Sequence, residues 1–192
     1  MSLRKNNNNA FTANLYLNGL PLVLNQQRLK QLLREPRITK REQLDAEVAL
    51  ANSHEASFIT LAGHEDDKPL LLKFTPQGDS YSINIALRGV FDGARWVIES
   101  DTYNLRVSHS ERSEVFSISK VVGEKTSLDD LEAGPAYIHL VADSNKKSLY
   151  SSTAGQVSFF KSVDPNVTGH VAYNNKPAVF VIKVIDKLPV GA

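Results

Sequence analysis

The chain has 192 residues, a formal net charge of +1 at pH 7 and no cysteine. A hydrophobic content of 42% and a charged content of 22% are typical of a folded, soluble chain that is long enough to bury a core. The near-neutral charge argues against a nucleic-acid partner, and the lack of cysteine excludes disulfides, Cys-ligated zinc and a thiol nucleophile.

No stretch of the sequence is long and apolar enough to cross a bilayer, and the first residues do not follow the pattern of a signal peptide. We therefore expect a cytoplasmic protein, or one released without a recognisable signal peptide. Residues 1–13, which include four consecutive asparagines, are predicted to be a disordered lead-in. The Asn18-Gly19 pair then predicts a tight hairpin between two short strands, because both residues tolerate positive φ angles.

Helical spacing replaces strand alternation after the hairpin. Residues 26–35 carry leucines at helical spacing and end before a proline. Thr39 and Glu42 match the capping box that begins a helix, and Leu44, Val48 and Ala51 follow as one apolar stripe. We predict two short helices within residues 26–52, as an insertion in an otherwise all-β chain.

The rest of the chain alternates apolar and polar residues, which is typical of strands with one buried face. Three similar stretches stand out: Leu70, Leu72 and Phe74; Phe116 and Ile118; and Phe180 and Ile182. Together with the hairpin they predict a single domain over residues 14–186, followed by a tail at 187–192. Its twelve strands form three groups of four: 14–18, 20–24, 57–62 and 69–75; 81–87, 94–100, 103–108 and 114–121; 136–142, 147–151, 156–162 and 178–185.

Three four-stranded units, each ending in one of these similar strands, resemble the β-trefoil superfamily. The resemblance covers residues 13–185 and implies a closed six-stranded barrel capped by three hairpins. The ricin-type lectins of this superfamily carry a Gln-x-Trp motif, whereas Trp96 follows Ala94 and Arg95, so their sugar site is not implied. Fascin-like repeats are a looser match. Alternation alone also allows a β-sandwich.

Aromatic residues next to Asp and Asn on predicted turns favour a lectin-like, carbohydrate-binding function, because sugars need an apolar platform and polar side chains. The interpretation is a non-enzymatic binding module with shallow loop sites. The candidate ligand-binding residues are Asp92, Trp96, Asp101, Tyr103, Asn104, Asp143, Asn145, Tyr150, Tyr173 and Asn174.

The predicted helical insertion is rich in basic residues and is the basis of an alternative function. Arg28, Arg34, Arg37 and Arg41 lie on it, together with two lysines. Such a stripe favours phosphate, an anionic surface or an acidic partner, although it is also typical of a solvated helix face. The alternative is therefore a protein-binding module, such as a protease inhibitor or a toxin component, that acts through this insertion or through a long loop.

Catalytic and cofactor motifs are weak or missing. His109 and Ser110 supply two residue types of a hydrolase, but the Gly-x-Ser-x-Gly elbow is absent from the sequence. His64 is followed by three acidic residues without the spacing and glycine of a calcium loop. Neither Gly-rich phosphate motif occurs. We expect no enzyme activity, metal or cofactor.

Overall fold

The computed structural model describes residues 9–121, 126, 128–132, 134–155, 157–163 and 176–188. Within these residues the secondary structure is mostly β. The strands are β1 (Phe11–Leu17), β2 (Leu20–Leu24), β3 (Ile59–Leu61), β4 (Leu71–Gln77), β5 (Ser80–Ala86), β6 (Arg95–Ile98), β7 (Leu105–Ser108), β8 (Val115–Lys120), β9 (Ala136–Ala142), β10 (Lys147–Ser148), β11 (Tyr150–Ala154), β12 (Val157–Lys161) and β13 (Phe180–Lys187). The helices are α1 (Asn25–Leu32), α2 (Lys40–Ala51), α3 (Ser53–Ala56) and α4 (Leu128–Leu131).

Six strands close into an antiparallel barrel. Around the ring, β1 pairs with β13, β13 with β9, β9 with β8, β8 with β5, β5 with β4, and β4 with β1. A closed ring leaves none of these six strands at a sheet edge. The all-β prediction is confirmed. The alternative of a β-sandwich is not supported, because the ring returns to its first strand.

Three further hairpins, which we call the hairpin cap, consist of β2 with β3, β6 with β7, and β11 with β12. They also pair with one another. Phe159 of β12 pairs with Thr60 of β3, Phe58 bridges to Arg106, and Asn104 bridges to Lys161. Each hairpin therefore contacts the other two.

The core lies inside the barrel and beneath the cap. The three similar strands of the sequence are barrel strands β4, β8 and β13, and their alternate apolar side chains are buried as predicted. Phe11 stacks on Phe74 with ring centroids 4.8 Å apart, and Trp96 meets the edge of Phe116 at 5.7 Å. Aromatic side chains from different strands thus fill the centre, where each contributes apolar burial.

Some predicted strand boundaries need correction. The predicted lead-in overlaps β1, which begins at Phe11 because that side chain is fully buried in the core. The predicted strand 147–151 is divided into β10 and β11 at Leu149. This residue is fully buried, and its backbone N–H donates to Leu140 while its carbonyl accepts from Ala178.

The predicted helical insertion is present between β2 and β3, with α3 as an additional short helix. The Thr39–Glu42 capping box is confirmed: Glu42 N–H donates to Thr39 Oγ1 at 3.2 Å, and Thr39 N–H donates to Glu42 Oε2 at 2.9 Å. The Thr39 backbone N–H, and after it the Thr39 hydroxyl, donate to the Glu42 carboxylate and lower the pKa of that carboxyl. Helix α1 ends at Leu32 rather than at residue 35, since the chain tightens into three-residue turns ahead of Pro36.

The predicted apolar stripe of α2 faces solvent. Leu44 is 61% exposed and Val48 is 70% exposed, whereas Ala46 is buried. Helix α2 contacts α1 and α3, and Ala46 is its buried residue. The stripe therefore did not identify the packed face of this helix.

A double substitution tests this orientation. Leu44→Glu with Val48→Glu should change the free energy of unfolding by no more than about 0.5 kcal/mol, since neither side chain loses a buried environment. Urea denaturation followed by circular dichroism measures the change. Leu29→Ala, on the buried side of α1, is the matched control and should cost about 2–5 kcal/mol. A large loss in the double variant would show that α2 packs through Leu44 and Val48.

Candidate functional site

A cavity of about 450 Å³, which we call the cap pocket, opens where the three hairpins of the cap meet. Its volume lies within the range of about 300–1,000 Å³ that is usual for small-molecule sites. It is lined by side chains from all three hairpins and from the helical insertion: Asn25, Glu55, Phe58, Asn104, Ser152, Ala154, Phe159 and Lys161.

Two phenylalanines give the cap pocket an aromatic wall. Phe58 and Phe159 are half-buried, with ring centroids 5.5 Å apart and planes at 70°. His54 packs edge-to-face on Phe58, with ring centroids 5.0 Å apart. Because these rings are fixed and remain partly accessible, they can contact a flat apolar surface at little conformational cost.

Polar groups surround the aromatic wall. The backbone of Asn104 is held in place, since its carbonyl accepts from Glu99 N–H at 3.0 Å. The Asn104 amide, the Ser152 hydroxyl and the exposed Glu55 carboxylate have no side-chain hydrogen bond to any residue in the described ranges. These three groups therefore provide both donors and acceptors at the edge of the pocket.

The back of the pocket is rigid. Asn25 is buried, its backbone N–H donates to the Phe58 carbonyl at 2.7 Å, and its side-chain Nδ2 donates to the Glu55 carbonyl at 2.9 Å. Asn25 thus ties the end of β2 to the segment that enters β3. An aromatic wall with donors and acceptors on a fixed frame is suited to a ligand that has one apolar face and several hydroxyl groups.

The prediction that Trp96 is a ligand platform is wrong. Trp96 is fully buried between barrel and cap, and its indole nitrogen has no hydrogen-bond partner among the described residues. The neighbouring aspartates instead hold turns: Asp92 accepts from Leu87 N–H at 3.1 Å, and Asp101 accepts from Thr102 N–H at 3.0 Å. Trp96 is buried because β6 directs it inward against Phe116.

Two of the predicted loops do come together, although not in the cap pocket. Ser162 donates its N–H to the Tyr103 carbonyl at 3.1 Å, and the Asn145 amide donates to the Ser162 carbonyl at 3.1 Å. Tyr103 has a φ angle of 59° and is 42% exposed. The Asn145 side chain is engaged in this network, so it is structural rather than available to a ligand.

The other predicted ligand residues have mixed positions. Of the eight candidates that the structure describes, Asn104 is the one that lines the cap pocket. Asp143 pairs with Lys146 at 3.1 Å, and Tyr150 is half-buried on β11. Tyr173 and Asn174 lie outside the described residues.

A second depression, which we call the α1 cleft, lies between α1 and the turn at residues 62–68. It consists of two adjoining cavities of about 210 and 380 Å³. Of the predicted partner-binding arginines, Arg28 and Arg34 line it. Arg37 and Arg41 are exposed and are not among its lining residues.

Each histidine of the described residues contacts a carboxylate or a backbone carbonyl. His54 Nε2 lies 3.2 Å from Glu99 Oε2, but the nearby Ser57 hydroxyl donates to the His54 carbonyl and not to its ring. His109 Nε2 contacts the Val90 carbonyl at 2.9 Å. No group of three potential metal ligands occurs in the part of the chain that the structure describes.

Sequence reasoning missed the aromatic wall of the cap pocket. Phe159 precedes Phe160 in β12, and Phe160 is fully buried. Because side chains alternate along a strand, two adjacent phenylalanines cannot both enter the core. This pair was the signal that Phe159 lies on the other face.

Comparisons with protein-family models, curated proteins and solved structures found no match. Among the described residues, no helix has the length and apolar character needed to span a membrane.

Proposed function

We propose that this chain is a non-enzymatic, lectin-like binding module of the β-trefoil superfamily, and that it binds a carbohydrate in the cap pocket. The observation that carries the proposal is the aromatic wall of Phe58 and Phe159 with unpaired polar side chains at its edge. Pyranose rings present an apolar face of C–H groups and a rim of hydroxyls, which is the chemistry that such a pocket complements.

The connectivity of the barrel and the cap supports the fold assignment. In sequence, each capping hairpin lies between two barrel strands, and this order occurs three times: β1 and β4 flank the first hairpin, β5 and β8 the second, and β9 and β13 the third. Three such units around one barrel are the arrangement that the β-trefoil resemblance implies. A rigid scaffold with variable connections also suits a binding protein.

The proposed binding mode predicts that the purified chain binds a related group of glycans on a glycan array at both low and high salt. Hydrogen bonds and aromatic contacts are weakly screened, whereas attraction between exposed charges fades as ionic strength rises. Ala154→Trp should abolish this binding, because the large indole would occupy the pocket from an exposed position.

Ala51→Trp is the matched control, because it adds the same indole at an exposed position on α2 that is not among the residues lining the cap pocket. It should bind the same glycans as the unmodified chain. Failure of the unmodified chain to bind any glycan at either salt would sink the proposal, as would binding that Ala154→Trp leaves intact.

A further inference from the structure

The smaller cavity of the α1 cleft is lined by more basic side chains than acidic ones. Arg28 and Lys30 lie on α1, Arg34 lies two residues beyond its end, and Lys68 approaches from the facing turn. Among the residues that line this cavity, Asp67 is the one acidic side chain. None of the four cations forms a salt bridge with a carboxylate in the described part of the chain.

The acidic residues of the cleft are already engaged. Asp67 Oδ2 accepts the backbone N–H of His64 at 3.1 Å, while Asp67 N–H donates to the His64 carbonyl at 3.2 Å, so Asp67 closes its own turn. Glu35 lies 3.0 Å from His64 Nε2. The positive potential of the cleft is thus only partly compensated.

Arg28 is the most constrained of the cations. Its Nε donates to Asn25 Oδ1 at 3.0 Å, which fixes the plane of the guanidinium, and burial lowers the pKa of this side chain. Neither terminal nitrogen donates to another described residue. A half-buried guanidinium with a fixed plane and free donors is pre-organised for a tetrahedral oxyanion, which it can contact through two parallel hydrogen bonds.

The two cavities of the cleft differ in the side chains that line them, and together they indicate a class of ligand. The cavity of about 210 Å³ holds the basic residues, and the adjoining cavity of about 380 Å³ includes Leu20, Leu32 and Leu61 in its wall. The first has room for one oxyanion group, and the second for a less polar body attached to it. The two cavities share Arg28, which lies at their junction.

We infer that the α1 cleft binds a small molecule that carries a phosphate or sulfate ester, with Arg28, Lys30, Arg34 and Lys68 around the oxyanion. This site goes beyond the proposed carbohydrate function, because its lining residues are entirely different from those of the cap pocket. Ligand binding at the α1 cleft and at the cap pocket can therefore be tested separately.

The test uses phenyl phosphate, phenyl sulfate and phenol as probes. Isothermal titration at physiological salt, with amide chemical shifts to locate the site, should show saturable binding of at least one ester with shifts at α1 and at residues 62–68. Tighter binding of phenyl phosphate would assign the site to phosphate esters, tighter binding of phenyl sulfate would assign it to sulfate esters, and equal binding would assign it to both. Phenol binding as tight as either ester would overturn the inference, because the oxyanion would contribute nothing.

Charge-matched variants separate a built site from diffuse attraction. Arg34→Gln with Lys68→Gln should weaken ester binding by about tenfold or more, because two charge-assisted hydrogen bonds are lost. Arg37→Gln with Arg41→Gln removes the same charge from exposed positions outside the cleft and should leave the affinity unchanged. Equal weakening by both pairs would contradict the inference. Ala154→Trp should retain ester binding, which separates this site from the carbohydrate site.

Discussion

Trp96→Ala should lower the free energy of unfolding by about 3–5 kcal/mol, the range expected when a large buried aromatic side chain is removed. Trp96 is fully buried and meets the ring of Phe116 edge-to-face at 5.7 Å, so its removal leaves a cavity between barrel and cap. Urea denaturation should be followed by far-UV circular dichroism, because the variant has lost the only tryptophan of the chain.

Two control variants show whether the loss of stability in Trp96→Ala comes from the burial of this side chain. Tyr137→Ala removes an aromatic side chain that is 67% exposed and should change stability by no more than about 0.5 kcal/mol. Trp96→Phe should cost much less than Trp96→Ala, because it keeps most of the volume and removes a buried N–H that lacks a described acceptor. If Trp96→Ala were as stable as the unmodified chain but lost glycan binding, the buried position of Trp96 would be wrong.

Phe159→Ala should weaken binding of the best array glycan by at least about tenfold, as expected for an aromatic residue at the centre of a binding site. Phe159 supplies half of the aromatic wall of the cap pocket, against Phe58 at 5.5 Å. Isothermal titration at a temperature well below the melting point of the variant separates lost affinity from lost folding.

The conservative variant provides the control for this substitution. Phe159→Tyr keeps the ring and should retain glycan affinity within a few-fold. If Phe159 had only a structural role, Phe159→Ala would lower the stability of the chain and its glycan affinity together. Unchanged affinity in Phe159→Ala would contradict the assignment of the aromatic wall as the sugar platform.

Much of the secondary structure could be predicted because its causes are local. Alternation identified β4, β8 and β13, and Asn18-Gly19, with φ angles of 51° and 81°, forms the predicted hairpin turn between β1 and β2. The Thr39–Glu42 capping box is likewise a local signal, and it marks the start of α2 correctly. These elements depend on neighbouring residues and on backbone stereochemistry.

Closure of the barrel depends on contacts between distant parts of the chain. The pairing of β1 with both β4 and β13 joins residues that are far apart in sequence, and strand periodicity does not encode it. The exposed stripe of α2 shows the same limit. Leu44 and Val48 have helical spacing, but the side that packs is decided by where α1 lies.

The candidate site was harder to predict than the fold, since a pocket is made by elements that meet only in space. Asn104 lies on a predicted turn, but Phe58 and Phe159 are more than a hundred residues apart in the sequence and meet only through the cap. Trp96 was misassigned because an aromatic residue beside turn-forming aspartates resembles a sugar platform. Only the orientation of β6 shows that this side chain enters the core.

An amide chemical-shift titration of the unmodified chain, with the glycan that binds best on the array, shows whether that glycan binds in the cap pocket. Saturable shifts are expected at Phe58, Asn104, Ser152 and Phe159, with few changes around the buried Trp96. A glycan whose shifts cluster elsewhere, or the absence of any saturable glycan binding, would contradict the claim that the cap pocket is a carbohydrate site.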